Sequence, residues 1–364
     1  MMGDDAHDVG VELTVLVTAA DDSAVETADH VLLGAADDES ALRRLIETSD
    51  VVTFDHELID LDMLVRLEEQ GVVFRPSPRA LRYSVDKAVQ REEFTAAGFP
   101  VPYCHVIRSD ADLSVLDDWS QMHQNPPVLK AARGGYDGRG VLFPVDDTDA
   151  MQLARELLAR GAVVAEERVT LLSEVAQLVV RSVHGEVIAY PLVTTLQSRG
   201  MCAEVQFPAD LDEDVQAQAR ELSAKIASHI GLVGVMAVEL FVTPRGLLIN
   251  ELALRPHNSG HWTIEGTATS QFANHLRAVT GQELGASTAL CAAAVMVNVV
   301  GADTPGSLES ARATAGVTVH DYGKSWRPGR KLAHVTAVGD DVAALHVRTW
   351  VSARAYGTNT REAS

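Results

Sequence analysis

The sequence predicts a mixed α/β fold that is divided into two or three domains, and three observations lead to this prediction. The chain has 364 residues, more than one typical hydrophobic core accommodates. Strand-like and helix-like stretches alternate over residues 1–76, which indicates parallel βαβ units. Strands and helices mix over residues 77–284, whereas residues 285–364 are mostly β and end in a tail that we expect to be disordered.

The N-terminal segment is predicted to contain two strand–helix units. The strands are VELTVLV (11–17) and DVVTFDH (50–56), and the helices are DESALRRLIETS (38–49) and IDLDMLVRLEEQG (59–71). The Pro-Ser-Pro sequence at 76–78 marks the boundary to the next segment.

The middle segment is predicted to begin with a helix and to end with a strand pair. The helix lies within residues 84–102, because Gly98 and Pro100 supply a stop signal. The elements that follow are strands at 126–132 and 140–145, a helix at 149–161, strands at 162–168, 174–183 and 186–193, a helix at 217–231 and a strand pair at 235–252.

Composition disfavours several classes of protein. The net charge of −21 argues against nucleic acid as a partner, because the field of the whole molecule repels phosphate backbones. No apolar run reaches the roughly 18 residues that cross a bilayer. The three cysteines are widely separated, with no metal-ligand spacing, which fits reduced thiols. We therefore expect a cytoplasmic protein with no membrane partner.

The stretch KAARGGYDGRGV, residues 130–141, combines four glycines with one lysine and two arginines. Glycine in ordered backbone costs about 0.5–1 kcal/mol relative to alanine, so such a run needs a reason. The flanking apolar strands predict a hairpin over residues 130–143, whose bare N–H groups could close over anionic oxygens as a lid. An ordinary flexible turn is an equally good interpretation of this stretch alone.

The strand pair VMAVELFVTPRGLLINEL, residues 235–252, carries two acidic residues on what we predict to be one face. A three-residue loop at 244–246 places Glu239 opposite Glu251, whereas a two- or four-residue loop places Asn250 there. Two like charges about 4 Å apart repel by on the order of 4 kcal/mol at an effective dielectric constant near 20. Either one acid is protonated or a cation lies between them, and oxygen ligands favour Mg²⁺ (or Mn²⁺). The alternative is an exposed sheet face with solvated glutamates.

Two later loops concentrate basic and hydrogen-bonding side chains. NELALRPHNSGHWT, residues 250–263, carries an arginine, two asparagines and two histidines, and a substrate loop explains it better than an ordinary connection. HDYGKSWRPGRKLAHV, residues 320–335, carries two lysines and two arginines around two glycines. For this second loop a basic surface hairpin is an equally good explanation.

These motifs together resemble the ATP-grasp fold. More specifically, RGGYDGRG (133–140) and the two later loops, in this order, resemble the 5-(carboxyamino)imidazole ribonucleotide synthetase (PurK) family over nearly the whole chain. The resemblance implies an ATP-grasp fold with an N-terminal Rossmann-like βαβ domain and a small C-terminal β-rich domain. It implies a ligase that converts ATP, bicarbonate and 5-aminoimidazole ribonucleotide into the N-carboxylated ribonucleotide, ADP and phosphate. It also implies a homodimer and, as a functional neighbour, a mutase that acts on the product.

The resemblance implies roles for individual residues. ATP would be bound by Lys87, Lys130, Gly135, Tyr136, Asp137, Gly138, Arg139, Gly140, Glu166, Glu167, Arg168, Val169, Glu174, Gln197, Asn250 and Glu251. Magnesium would be held by Glu239 and Glu251. The ribonucleotide and the carboxyphosphate intermediate would be bound by Tyr136, Arg255, His257, Asn258, Lys324, Arg330 and Lys331. Catalysis would depend on Asp137, Arg255, Lys324 and Arg330, with Asp137 as a proton acceptor near the amine.

Three features depart from the family pattern. Lys87 stands where the family carries arginine, which replaces a planar fork by a point charge, and Gln197 stands where it carries histidine. The family begins with a strand and a glycine-rich loop, whereas this chain begins with MMGDDAHDVG. We therefore expect that the natural protein starts further upstream. The alternatives are another ATP-grasp ligase, such as a formate-using ribonucleotide ligase, and a truncated, catalytically silent nucleotide-binding homologue.

Overall fold

The computed structural model describes residues 1–135 and 140–359. Within these ranges the helices are α1 (Met2–Asp8), α2 (Glu39–Glu47), α3 (Leu61–Glu69), α4 (Pro78–Val85), α5 (Lys87–Ala96), α6 (Trp119–His123), α7 (Asp147–Leu158), α8 (Glu213–His229), α9 (Thr263–Gly266), α10 (Gln271–Thr280), α11 (Leu308–Arg312) and α12 (Val342–Tyr356). The strands are β1 (Thr14–Val17), β2 (His30–Leu33), β3 (Cys104–Ile107), β4 (Val128–Ala131), β5 (Val141–Leu142), β6 (Val163–Glu166), β7 (Ser173–Arg181), β8 (Val187–Ala189), β9 (Val193–Ser198), β10 (Met201–Phe207), β11 (Gly234–Thr243), β12 (Gly246–Ala253), β13 (Ala293–Val300), β14 (Thr318–Asp321) and β15 (Lys331–Gly339). No helix in these ranges has the length and apolar character that a membrane span requires.

The N-terminal segment contains a small parallel sheet in which β1 pairs with β2. The predicted helices at 38–49 and 59–71 are confirmed as α2 and α3, but the predicted strand at 50–56 is wrong. Only Val52 forms a bridge there, to Phe74. The next side chain turns to another partner, since Thr53 Oγ1 lies 2.7 Å from Nε2 of His275 on α10.

The helix predicted within residues 84–102 is interrupted at Asp86. The Asp86 carboxylate accepts hydrogen bonds from the backbone N–H groups of Ala88 (3.0 Å) and Val89 (3.1 Å), so it caps the start of α5. The preceding residues belong to a separate helix, α4, which the sequence did not predict. This cap sets Lys87 at the first position of α5, where its side chain reaches Glu251 on β12.

Two antiparallel sheets hold the rest of the described chain. The smaller has the order β3-β6-β4-β5, and α7 packs against it. The larger has the order β12-β11-β7-β9-β10-β13-β15-β14, with β8 added beside β7. The pairing of β10 with β13 joins the middle segment to the C-terminal segment, so the C-terminal strands extend an existing sheet.

The C-terminal segment is β-rich, as predicted, but it ends in the 15-residue helix α12. The sequence prediction missed this helix, although seven of its fifteen residues are alanine, arginine or leucine, which favour helices. Trp350 on α12 is buried and donates from Nε1 to the Glu204 carboxylate on β10 at 2.6 Å. Part of the predicted disordered tail is ordered, since Thr358 pairs with Gly301; residues 360–364 lie outside the described residues.

The hairpin between β11 and β12 differs from the prediction in its loop. Thr243 pairs with Gly246, so the loop has two residues and the predicted three-residue loop is wrong. The Thr243 hydroxyl explains the tighter turn, because it donates to the carbonyl of Gly246 (2.8 Å) and accepts from the N–H of Arg245 (3.1 Å). Gly246 has a φ of +103°, which favours glycine at this position.

Candidate active site

A β-bulge in β12 places two carboxylates opposite each other. Leu240 pairs with Ile249, whereas Glu239 pairs with Glu251, so Asn250 is an extra residue in β12. The bulge restores the glutamate pairing that the two-residue loop alone would have shifted. The prediction that Glu239 faces Glu251 is therefore confirmed, although a β-bulge rather than a three-residue loop produces the pairing.

The environment of this pair strongly shifts the pKa of Glu239. Its side chain is 24% exposed. Burial, followed by repulsion from Glu251 and Glu174, raises the pKa of the Glu239 carboxyl to about 8. A divalent cation would relieve this repulsion, so the pair has the chemistry of a magnesium site.

The two carboxylates do not form a complete metal site by themselves. Across residues 1–135 and 140–359, no group of three or more His, Cys, Asp or Glu side chains is arranged to hold a metal ion. Mg²⁺ commonly takes only one or two carboxylates and completes its shell with water and substrate phosphates. Glu239 and Glu251 fit that incomplete donor set.

Helix α5 brings a cation to Glu251. Lys87 Nζ lies 2.8 Å from Glu251 Oε1, and the lysine side chain is 13% exposed. The neighbouring Asp86 pairs with Arg133, at 2.7 Å between Oδ2 and Nε. Asp86 thus ties the start of α5 to the segment that enters the glycine-rich hairpin, and it keeps Lys87 beside the carboxylate pair.

Lys130 on β4 occupies a buried network of charges. Its Nζ lies 2.7 Å from Oε2 of Glu166 and 3.3 Å from Oδ1 of Asn250. The other oxygen of Glu166, Oε1, accepts from Nε of Arg91 at 2.7 Å. Burial works to raise the pKa of Glu166, but Arg91 and Lys130 outweigh it and lower the pKa to about 2. Lys130 is thus fixed beside the Asn250 bulge, next to the carboxylate pair.

The glycine-rich hairpin is described only at its base. Lys130 pairs with Val141 between β4 and β5, and the Ala131 N–H donates to the Gly140 carbonyl at 2.8 Å. Gly140 has a φ of +77°, and Gly135 precedes the tip. The strand–loop–strand arrangement is confirmed at this base. The predicted lid residues Tyr136, Asp137, Gly138 and Arg139 lie outside the described residues.

The segment after β6 links the two sheets. Glu167 Oε1 accepts from the Tyr103 N–H (2.8 Å) and from Nη2 of Arg245 (2.7 Å), so this carboxylate braces the link. Arg168 is exposed, donates to the Pro144 carbonyl at 3.1 Å, and precedes the half-buried Val169.

Two further predicted nucleotide residues lie on the larger sheet. Glu174 is on β7 and is half-buried, and burial raises the pKa of its carboxyl. Gln197 is on β9, where it pairs with Cys202 and is also half-buried.

The first predicted substrate loop is anchored to the N-terminal segment. Arg255 Nε lies 2.7 Å from Oε2 of Glu57, and Arg255 Nη1 donates to the carbonyl of Pro256 at 3.1 Å. Glu57 Oε1 is buried and has no hydrogen-bond partner in the described structure. The sequence prediction missed Glu57, because 198 residues separate it from Arg255 and no local pattern connects them.

His257 brings the same loop to the carboxylate pair. Its Nε2 lies 3.4 Å from Oε1 of Glu239. The Ser259 backbone N–H donates to His257 Nδ1 at 3.3 Å, which places the proton of a neutral ring on Nε2, facing Glu239. Burial, followed by the charges of Arg255 and Lys331, lowers the pKa of His257 well below its usual value, so the neutral form is favoured.

Asn258 and the buried Gln271 hold the loop in place. Asn258 and Asn298 on β13 exchange side-chain amide hydrogen bonds of 2.8 and 2.6 Å. Gln271, at the start of α10, accepts from the His257 N–H (2.8 Å) and donates to the His257 carbonyl (2.7 Å). The loop is therefore fixed to both the larger sheet and α10.

The second basic loop approaches from the C-terminal segment. Lys324 is exposed and lies over the Tyr322 ring, with Nζ 5.3 Å from the ring centroid. Arg330 Nη1 donates to the Ser325 hydroxyl at 2.9 Å. Lys331 begins β15. Its positive charge partly offsets the rise in the pKa of Glu239, so it lies within electrostatic reach of the carboxylate pair.

Arg91 is the second residue that the sequence prediction missed. It lies one helical turn after Lys87 on α5, is fully buried, and donates from Nη2 to the carbonyl of Asn250 at 2.7 Å. Residues 90–93 of α5 are all polar, so the sequence gave no reason to expect a buried arginine here. The i, i+4 spacing from Lys87 is the one signal that could have identified it.

Comparison with known proteins agrees with this architecture. Residues 1–84 match the ribonucleotide synthetase preATP-grasp domain, residues 92–272 match the ATP-grasp domain, and residues 294–348 match the phosphoribosylaminoimidazole carboxylase C-terminal domain.

Curated relatives and solved structures give one family name. The N5-carboxyaminoimidazole ribonucleotide synthase of Mycobacterium tuberculosis (strain H37Rv) is 45% identical over 355 residues, which span 95% of this chain and 82% of that protein. The Bacillus subtilis synthase is 33% identical, spanning 92% of this chain and 87% of that protein. The crystal structure of the Thermus thermophilus synthetase has a TM-score of 0.88 at 31% identity, covering 100% of this chain and 97% of that one.

A further crystal structure is described as an Aspergillus clavatus N5-carboxyaminoimidazole synthase in complex with ADP and 5-aminoimidazole ribonucleotide. It has a TM-score of 0.86 at 28% identity and covers 97% of this chain and 95% of that one. These identities hold over most of each chain. The chain therefore belongs to the N5-carboxyaminoimidazole ribonucleotide synthase family.

Proposed function

We propose that this protein carboxylates 5-aminoimidazole ribonucleotide in an ATP-dependent reaction of purine biosynthesis. The observation that carries the proposal is the convergence of Lys130, the Glu239–Glu251 pair and His257 at the Asn250 bulge. Cations for phosphates, a carboxylate pair for a metal and a polar substrate loop meet there. Membership of the family supplies the reaction.

The reaction joins bicarbonate to the amine in two steps. Transfer of the γ-phosphoryl group of ATP to a bicarbonate oxygen gives carboxyphosphate and ADP. The amine of the ribonucleotide then forms a C–N bond to the carboxyl carbon, and phosphate leaves. Charge accumulates on several oxygens in the first step, so fixed cations stabilise its transition state more than they stabilise the separate substrates.

The residues of this chain would divide that work by position. We propose that Lys130 and Lys87 bind the nucleotide phosphates, and that Glu174 and residues 166–169 bind the nucleoside. Glu166 would contribute through its backbone, because Lys130 and Arg91 occupy both of its carboxylate oxygens. Arg255 and His257 would orient the ribonucleotide and carboxyphosphate, while Lys324 and Arg330 would bind the ribonucleotide phosphate. Bare backbone at the glycine-rich hairpin would exclude water from the reactive intermediate. Asp137 is proposed as the proton acceptor for the amine.

We further propose Mg²⁺ (or Mn²⁺) as the metal of this site. Glu239 and Glu251 would hold it, and the bound ion would neutralise charge on the ATP phosphates. Lys87 now contacts Glu251 and would share this carboxylate with the ion.

Several finer features belong to the same proposal. The three cysteines are free thiols, which supports a reducing compartment such as the cytoplasm. A homodimer, and a mutase that consumes the product, follow from the family resemblance alone. Light scattering of the purified protein tests the first, and a coupled conversion with the mutase tests the second.

An omission assay tests the function. ADP formation is measured with ATP, Mg²⁺, bicarbonate and aminoimidazole ribonucleotide, and each is left out in turn. We expect ADP release to need all four, and isotopically labelled bicarbonate to appear in the ribonucleotide. Activity with formate in place of bicarbonate would indicate the alternative ligase, and nucleotide binding without turnover would indicate a silent homologue.

A matched pair of lysine variants connects the assay to the site. Lys130→Met should lower kcat/KM for ATP by about 100-fold or more, because it removes a fixed cation from the phosphates. Lys225→Met is the control, since Lys225 is exposed on α8 and pairs with Glu221, 2.6 Å away on the same helix. Equal activity of both variants would contradict the assignment of Lys130.

A further inference from the structure

Three charged side chains form a buried chain at the proposed phosphate site. Glu166 uses both carboxylate oxygens, one for Lys130 (2.7 Å) and one for Arg91 (2.7 Å). Arg91 is 0% exposed, Glu166 2% and Lys130 7%. Water therefore screens these charges poorly, and the sum of the three decides the local potential.

That sum depends on Arg91. Lys130 and Glu166 alone would form a neutral buried pair, which attracts phosphate oxygens less strongly than a buried group with a net positive charge. With Arg91 the three groups carry a net charge of +1. The neighbouring ion pairs do not change this count, because Lys87 is matched by Glu251 and Arg133 by Asp86. Glu174 also lies within electrostatic reach of Lys130, but it is the same in every variant compared below, so differences between the variants report the charge of the three-residue chain.

We propose that Arg91 supplies the net positive charge of the phosphate site by binding one of the two carboxylate oxygens of Glu166, so that Lys130 remains available to the nucleotide. This inference rests on the proposed function of Lys130. Arg91 would not touch the nucleotide, because its guanidinium is buried and is engaged with Glu166, Gln90 and the carbonyl of Asn250. It is a positioning residue that acts through Glu166.

The guanidinium geometry suits this task better than a second lysine would. Arg91 reaches Glu166 on the smaller sheet through Nε and the Asn250 bulge on the larger sheet through Nη2. Its planar fork can satisfy both acceptors at once, whereas an ammonium group offers a single point charge. Charge and geometry can therefore be separated by substitution.

The experiment measures ADP affinity by calorimetry in four variants and one control variant of the full-length protein. Arg91→Met makes the three-residue site neutral and should weaken ADP binding about tenfold, equivalent to ~1.4 kcal/mol. Arg91→Lys keeps the charge and should bind ADP within about threefold of wild type. The double variant Arg91→Met/Glu166→Gln returns the net charge to +1 and should bind ADP at least about threefold more tightly than Arg91→Met does.

The double variant distinguishes electrostatics from packing. If Arg91 served only to hold the fold together, a second buried substitution would leave ADP binding as weak as in Arg91→Met or weaken it further. Such a result overturns the proposal, and so does an Arg91→Met variant that binds ADP like wild type. Circular dichroism and thermal unfolding confirm that each variant is folded.

A fourth variant covers the case in which Arg91→Met does not fold. Gln90 is buried beside Arg91, and its Oε1 accepts from Arg91 Nη1. Gln90→Glu retains that acceptor and lowers the net charge by one, so it should also weaken ADP binding about tenfold. It loses the donor from Nε2 to the Tyr83 carbonyl (2.8 Å), and Gln90→Met, which loses the same donor without adding charge, is its control. Unchanged affinity would overturn the proposal. If wild-type protein itself binds no ADP, the proposed function fails first, so the two failures are distinguishable.

Discussion

Glu239 and Glu251 lie directly opposite each other on neighbouring antiparallel strands. Like charges in this position destabilise a sheet, and the partial burial of Glu239 prevents water from screening the repulsion fully. The chain maintains the arrangement through a bulge whose extra residue also contacts Lys130. A pairing that costs stability in the free protein is understandable if it is relieved when metal and nucleotide bind.

We predict that Glu239→Gln stabilises the ligand-free protein and abolishes turnover. Removing the repulsion should raise the free energy of unfolding by about 1 kcal/mol. Losing one of the two carboxylates that we propose to hold the metal should lower Mg²⁺-dependent ADP formation by about 100-fold or more. Thermal unfolding without ligand and the omission assay measure the two effects.

The pH dependence of this variant provides a second check. The folded-state pKa of Glu239 is about 8, above the ordinary value of 4.5, so the folded protein binds the proton more tightly. The free energy of unfolding should therefore fall as pH rises from 4.5 to 8, and Glu239→Gln should remove this part of the slope. Glu186→Gln, at an exposed position, is the control. A steeper fall in the Glu239 variant would contradict the interpretation.

We predict that Glu57→Gln impairs use of the ribonucleotide without affecting ATP. The carboxylate orients Arg255 through a 2.7 Å ion pair between segments that are distant in sequence. Its loss should lower kcat/KM for the ribonucleotide about tenfold, since an orienting charge is removed from a partly buried arginine. Steady-state kinetics with each substrate varied in turn measure kcat/KM for the ribonucleotide and for ATP separately. Glu68→Gln, on the exposed face of α3, is the matched control, and an equal loss for ATP would contradict the prediction.

We predict that His275 makes the protein sensitive to mild acid. Its ring is buried, Nδ1 accepts from the Val235 N–H at 3.1 Å, and burial lowers the pKa to about 4. Between pH 6.5 and 4 the unfolded chain binds this proton more readily, so the free energy of unfolding should fall as pH falls, by about 2 kcal/mol at pH 4.5.

Urea unfolding at pH 7 and pH 5 tests this sensitivity. His275→Gln should reduce the loss of stability between the two pH values, whatever its effect at pH 7. His184→Gln, at an exposed position, should leave the loss unchanged. An unaltered pH dependence in the His275 variant would show that another group is responsible.

We predict that Glu204→Gln lowers stability while activity is retained. The buried carboxylate accepts from Trp350 Nε1 (2.6 Å) and Gln206 Nε2 (2.7 Å), and it lies 2.8 Å from His346 Nδ1. A glutamine amide would direct donors at other donors, which should cost about 1–3 kcal/mol. A lower Tm with ADP formation within about twofold of wild type is expected. An unchanged Tm would contradict the proposed anchoring of α12.

The sequence allowed the site to be predicted wherever chemistry and spacing are local. The opposed glutamates and the strands around the glycine-rich stretch follow from residues less than 15 positions apart. Loop length was predicted wrongly because the Thr243 hydroxyl, which tightens the turn, competes with the preference of the Pro-Arg-Gly sequence. At the compensating bulge the carbonyl of Asn250 accepts from Arg91, 159 residues away, and no local rule reports such a contact.

Long-range partners account for the other errors. Glu57 is recognisable as a functional residue only once the fold brings Arg255 beside it. The segment after Val52 has strand-like composition. The Thr53 hydroxyl nevertheless forms a hydrogen bond with His275 on α10, and strand pairing does not continue beyond Val52. Helix α12 was missed although its composition favours a helix, and it packs onto the sheet through Trp350, which contacts Glu204, 146 residues earlier in the chain.

The unbroken pairing from β12 to β14 has a mechanical consequence. The carboxylate pair, the Asn258–Asn298 amide pair and the second basic loop all attach to this one sheet, so we expect them to move together. Lys130 and the base of the glycine-rich hairpin attach to the other sheet. We therefore expect nucleotide exchange to move the smaller sheet relative to the larger one about residues 167–172, which connect β6 to β7. Such a movement would also break the contacts that Lys87 and Arg91 of α5 make with β12.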